Sequence, residues 1–156
     1  LDILAAVKNY NDYANKQICI LEGFVNDWDR NHDKLGLYTD TTENTVCGCV
    51  RSAINYILSQ NANITLFLIL DHYGQGVTGS TAKNNSNITQ YEYYKEIEKV
   101  AKSLGVIVIP EYEISGINEH TPQYFIDNIH CSYLGAKQSA YTIWSKMKTY
   151  YPLQTQ

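Results

Sequence analysis

Residues 124–138 read YFIDNIHCSYLGAKQ and set Asp127 three positions ahead of His130. A carboxylate at that spacing can hold one imidazole nitrogen and stabilise the imidazolium, leaving the other nitrogen to act as a base. The bland alternative is a polar turn before a helix, with Asp127 a turn residue and His130 partly exposed. A second stretch, EGFVNDW at 22–28, places Asn26 and Asp27 just past Gly23. The Asn26 amide could donate into a crevice as oxyanion stabilisation requires, or Asn26 and Asp27 could simply cap the next segment. In the third, LDHYGQG at 70–76, Asp71, His72 and Tyr73 emerge at a strand end. They are candidates for a pocket wall, as is Trp28, and the plainer reading makes them the start of a loop.

The remaining titratable and soft side chains point nowhere in particular. His32 and His120 have no partner at ligand spacing, and Cys47 and Cys49 are one residue apart with no second pair. That spacing does not suit a zinc knuckle, and no H-E-x-x-H, P-loop or G-x-G-x-x-G is present, so no metal or cofactor is expected. Cys19 lies in the apolar run QICILEG and reads as a small core residue. A formal net charge of −4 leaves no basic footprint for nucleic acid. No apolar run approaches the roughly 18 residues of a membrane span. The 14 tyrosines, with Trp28, Tyr38 and Tyr73 in polar loops, suit a sugar-facing groove, although a compositional bias is the plainer account of them.

These residues must be positioned by elements that alternate along the chain. Apolar runs at 17–23, 63–73 and 106–111 read as strands, and helical patterns cover 1–14, 45–60, 88–105 and 132–151. In the first helix Leu4, Val7 and Ala14 are candidates to face inward; residues 24–44 read as a polar loop; Gly105 reads as the residue closing the third helix. Strands separated by helices of this length imply right-handed βαβ units in a parallel sheet covered on both faces. The functional crevice of such a sheet lies at the carboxyl ends of its strands. Three strands make a small sheet. A chain that opens inside an amphipathic helix reads as a fragment, with N-terminal strands expected to be missing.

Taken in order, EGFVNDW and DNIHCSYLGAKQSAYTIWSKM resemble the third and fifth blocks of the SGNH (GDSL-type) esterase and acylhydrolase family. The third block has one residue more here than the usual Gly–x–Asn–Asp. The resemblance implies a flavodoxin-like, three-layer α/β/α fold with strand order 2-1-3-4-5, of which this chain would hold the last three strands. Residues 1–156 would then be the C-terminal portion of a single domain. It also implies that His130 is the general base and acid, Asp127 its orienting partner, and Asn26, with Gly23, part of the oxyanion site. The family's nucleophilic Ser lies in a Gly–Asp–Ser block after the first strand, and that block is not in this sequence. The expected activity is therefore hydrolysis of small acyl or acetyl esters, such as acetylated carbohydrate, with the Ser supplied from outside this chain. An N-terminal piece of the same domain, or a second copy of the chain, is the expected partner. The resemblance is to bacterial and phage-associated members, which leaves secretion or a cell-surface location open. The rivals are a non-catalytic carbohydrate-binding or assembly module on the same fold, and an unrelated phosphate- or nucleotide-binding flavodoxin-like domain.

Overall fold

Thr65–Leu70 is the most apolar stretch of the chain and forms the middle strand, β2, of a three-stranded parallel sheet. β1 (Ile18–Leu21) and β3 (Ile107–Pro110) flank it, in the spatial order β1-β2-β3. The register pairs Ile20 with Phe67 and Ile69 with Ile109. The computed structural model describes residues 2–30 and 34–150, so His32 falls outside the described residues.

Side chains of a strand alternate between faces, and β2 has a full layer on each. Leu66, Leu68 and Leu70 join a core built with α1 (Asp2–Asn9), α3 (Val46–Gln60) and α4 (Gln90–Ser103). Phe67 and Ile69 face the other way, with Ile109, against Ile143 and Met147 of α6 (Tyr133–Met147). The result is the three-layer α/β/α arrangement. The second layer is narrower than the first. On β1, Leu21 is buried, whereas Ile18 and Ile20 are 39% and 45% exposed. Ile20, in register with Phe67, does not join the cluster that Phe67 forms with Ile69 and Ile109.

The helix ends follow from local chemistry. Thr45 caps α3 by accepting the Gly48 N–H at 3.1 Å. Thr89 and Glu92 form a capping box at the start of α4, and Gly105, with φ of +73°, takes the left-handed turn beyond its end. Ser132 caps α6 through the Gly135 N–H at 3.2 Å. Among the described residues no helix is long and apolar enough to cross a membrane.

Two expectations need correction. The first helix ends at Asn9, and a separate 3₁₀ turn, Tyr13–Asn15, follows; Tyr13, not Ala14, faces inward and donates its hydroxyl to the Val7 carbonyl. The polar stretch 24–44 contains a short helix, α2 (Val25–Arg30). Its turn carries Trp28 into the core, where it is 1% exposed and donates its indole N–H to the Ile88 carbonyl at 3.0 Å. Trp28 is thus a packing residue and not a pocket wall.

The contrast between β1 and β2 predicts two unequal truncations. Leu68→Ala should lower unfolding stability by about 2–5 kcal/mol, because the site is fully buried between layers. Ile20→Ala should stay within about 0.5 kcal/mol of the parent. Urea titrations followed by circular dichroism measure both; equal losses would mean that β1 is covered as β2 is.

Candidate functional site

His130 sits on a tight reverse loop closed at its base by a bridge between Phe125 and Cys131. The Asp127 carboxylate shapes this loop and orients the ring with the same two oxygens. Its Oδ1 accepts the backbone N–H groups of Ile129 at 2.8 Å and His130 at 2.7 Å. Its Oδ2 lies 2.7 Å from His130 Nδ1. Those contacts, the His130 and Ile129 amides first and then the ring, pull the Asp127 carboxyl down to about 2. The His130 side chain is 73% exposed, and among the described residues its Nε2 makes no hydrogen bond.

The loop does not hang free. The Asn128 carbonyl accepts the Gln75 N–H at 2.7 Å and the Thr78 hydroxyl at 3.0 Å, tying it to the segment after β2. On the other side the Ser132 N–H donates to the Tyr124 carbonyl at 2.8 Å. Gly135 permits that approach, since a Cβ there would lie 2.1 Å from the Tyr124 carbonyl oxygen. The glycine five residues after His130 therefore has a packing cause: it seats the loop on the first turn of α6.

A groove of about 680 Å³ opens beside His130 at the carboxyl ends of the strands. Of the expected residues, Gly23, His72 and His130 line it. Asp127 stands one contact behind, through the His130 ring. Asn26 is exposed on the first turn of α2, one residue past the groove-lining Val25, and is not itself among the lining residues. Tyr73 turns away and packs edge-on against Tyr112, 5.7 Å between ring centres, so it is no pocket wall. The buried Trp28 is likewise absent from the groove.

The groove also has an acidic floor, which none of the sequence motifs marks. Glu22, Asp71 and Glu111, the last of which opens the short helix α5 (Glu111–Ile114), each follow directly on the last residue of a strand, and their carboxylates converge within 4.8 Å of one another. Burial, with the Glu22 charge added, pushes the Asp71 carboxyl up to about 7. Burial also lifts Glu111 to about 7, against the pull of a hydrogen bond from Ser139. Glu111 is 2% exposed, and its Oε1 has no hydrogen-bond partner among the described residues. Such a set offers oxygen ligands to a hard cation; without one it retains protons.

Two expected outcomes follow. Asp71 and Glu111 keep protons in the folded chain at pH values where the unfolded chain, with carboxyls near 4, has lost them. Their contribution to stability is therefore full below about pH 4, declines as pH rises toward about 7, and is level above that. Asp71→Asn should raise stability at pH 8 by on the order of 1–3 kcal/mol and change it little at pH 4. Urea midpoints across that range test this, and an equal shift at both ends would refute it. Gly135→Ala should cost about 1–3 kcal/mol and disturb the His130 loop, read as a changed His130 ring resonance in NMR.

Solved structures share the architecture. A protein from Lactobacillus plantarum superposes with a TM-score of 0.82 at 19% identity, over 94% of this chain and 73% of its own. A possible lipase from Chitinophaga pinensis gives 0.70 at 16% identity, over 94% of this chain and 78% of its own. A peptidoglycan O-acetylesterase gives 0.67 at 14% identity, over 88% of this chain and 39% of its own. At these identities the likeness is one of fold. No family model matches the chain, and no curated protein matches it. The parallel α/β/α fold expected from the sequence is the one observed, and it is a fold on which esterase and lipase-like proteins are built.

Proposed function

We propose that this chain carries the base side of a serine ester hydrolase of the SGNH type. The observation behind the reading is the Asp127–His130 pair, with its 2.7 Å carboxylate–imidazole contact at the rim of a groove and its Nε2 open. In the proposed mechanism a serine hydroxyl gives its proton to His130 Nε2 and attacks an ester carbonyl. His130 then returns the proton to the leaving alcohol, and water repeats the cycle on the acyl-serine. Asp127, held near 2 and therefore charged throughout the neutral range, stabilises the imidazolium. Asn26 and the backbone N–H of Gly23 are the proposed oxyanion donors.

The serine is proposed to come from a strand pairing with the open edge of β1, either from another part of the same protein or from a second copy. Ile18 and Ile20, both more than a third exposed beside that edge, support this placement. Small neutral acyl esters, acetylated carbohydrate among them, are the proposed substrates. The names of the fold neighbours, a possible lipase and a peptidoglycan O-acetylesterase, support that class. The second reading, a carbohydrate-binding or assembly module, is favoured by one observation: no hydroxyl among the described residues is bonded to His130 Nε2.

Turnover of p-nitrophenyl acetate by the full-length protein separates the two. His130→Ala should lower kcat by about 10²–10⁴ with the fold intact by circular dichroism. Asp127→Asn should lower it less. Unchanged turnover in His130→Ala removes this residue from the mechanism and leaves the binding module.

A further inference from the structure

The groove contains a second reactive pair that the serine mechanism does not use. Cys131, next in sequence to His130, places its Sγ 3.0 Å from Nε2 of His72. Both residues line the groove. His72 Nδ1 lies 3.0 Å from the Tyr73 carbonyl, which can only accept, so the ring proton belongs on Nδ1. Nε2 then holds the lone pair and the thiol is the donor. That is the arrangement of a nucleophile with its base, the base oriented by a third group. The ring of His72 is further held edge-on against Phe125, 5.6 Å between ring centres. Cys131 also stands immediately before Ser132, the cap of the 15-residue helix α6, whose N-terminal end favours negative charge.

We propose that Cys131 and His72 form a nucleophile–base pair and that the thiol accepts acyl groups from small, neutral carboxylic esters. His72 Nε2 takes the thiol proton as the Sγ–carbon bond forms at the ester carbonyl. The acyl carbon–oxygen bond then breaks, and the proton passes from Nε2 to the departing alcohol oxygen. The products are an S-acyl chain and an alcohol, and water later returns the free thiol and a carboxylic acid.

The surroundings choose the substrate class. Glu22, joined by Asp71 and Glu111 once they ionise near pH 7, repels anionic electrophiles such as phosphate esters. Val25, Ala136 and Ile143 give a small acyl group an apolar wall. Burial, then the charges of Glu111 and Asp71, push the Cys131 thiol up. Those charges oppose a lone thiolate, but proton transfer within the pair creates no net charge, so they act on a dipole only.

The chain supplies its own reference, because Cys19 is also half-buried and free, and has burial as the one cause raising its thiol. Iodoacetamide labelling at pH 7.5, resolved by peptide mass spectrometry, should modify Cys131 at least about tenfold faster than Cys19. Exposure to p-nitrophenyl acetate should leave one hydroxylamine-sensitive acetyl group on Cys131 and none in Cys131→Ser. His72→Gln should abolish the preference for Cys131; if that variant merely loosens the fold, both cysteines speed up together and His72→Asn is read instead. Equal labelling of the two cysteines, acetyl groups elsewhere, or an unchanged Cys131 rate in both His72 variants would each overturn the proposal. Because these measurements use this chain alone, their failure leaves the serine reading standing, and loss of the serine reading leaves them unaffected.

Discussion

Burial of β2 on both faces is the constraint from which the site descends. With Leu66, Leu68 and Leu70 locked in one layer and Phe67 and Ile69 in the other, a one-residue slip would turn each set into the wrong layer. The strand cannot shift, so its last residue, Leu70, has a fixed place, and Asp71 and His72 are delivered to the groove by chain continuity. The exposed His130 loop has no comparable core of its own. It takes its position from what β2 delivers, through the Asn128 carbonyl on Gln75 and Thr78, and through His72 against Phe125 and Cys131. A solvent-exposed imidazole is thereby referenced to the most deeply buried strand of the fold.

The same side-chain chemistry is driven in opposite directions at the two ends of this arrangement. Asp127 is exposed, yet it receives two backbone N–H groups and a ring nitrogen, so its charged form is favoured. Asp71 is largely buried beside Glu22 and Glu111, so its neutral form is favoured. Donor count decides the first and desolvation the second. A carboxylate that stays charged thus lies at the rim, and carboxyls that hold protons lie on the floor. When ionised, the floor places negative charge in the groove, which disfavours anions there.

What could be read from the sequence follows the range of the interactions. The three strands, the helices of residues 46–60 and 90–103, and the glycine at 105 are written in local periodicity and turn chemistry, and the structure places them within a few residues. The Asp127–His130 contact spans three residues and was equally accessible. Trp28 was misassigned because a short helix inside a polar stretch gives too few residues to show a face. The acidic floor had a signal that went unused: an acid follows each strand directly, at Leu21–Glu22, Leu70–Asp71 and Pro110–Glu111. In a parallel sheet those three positions must meet at one edge. The Cys131–His72 contact spans 59 residues and depends on the loop's seat on α6, so no local pattern could reveal it.

The two histidines meet at the same turn, His130 as part of it and His72 through Cys131. His130 points outward from the loop, bound through Nδ1 to a carboxylate of its own loop. His72 rises from the sheet beneath, bound through Nδ1 to its neighbour's carbonyl. In each the partner of Nδ1 leaves Nε2 as the basic atom, so the groove holds two oriented imidazole bases with different supports. A carboxylate stabilises the protonated ring by charge, whereas a carbonyl offers only a dipole. In the proposed mechanism His130 carries the positive charge, and in the proposed pair His72 passes a proton to and from its hydrogen-bonded thiol. Cys131 follows His130 directly, closes the base of its loop through Phe125 and is also the residue that the His72 ring contacts, so a single residue links the two imidazoles.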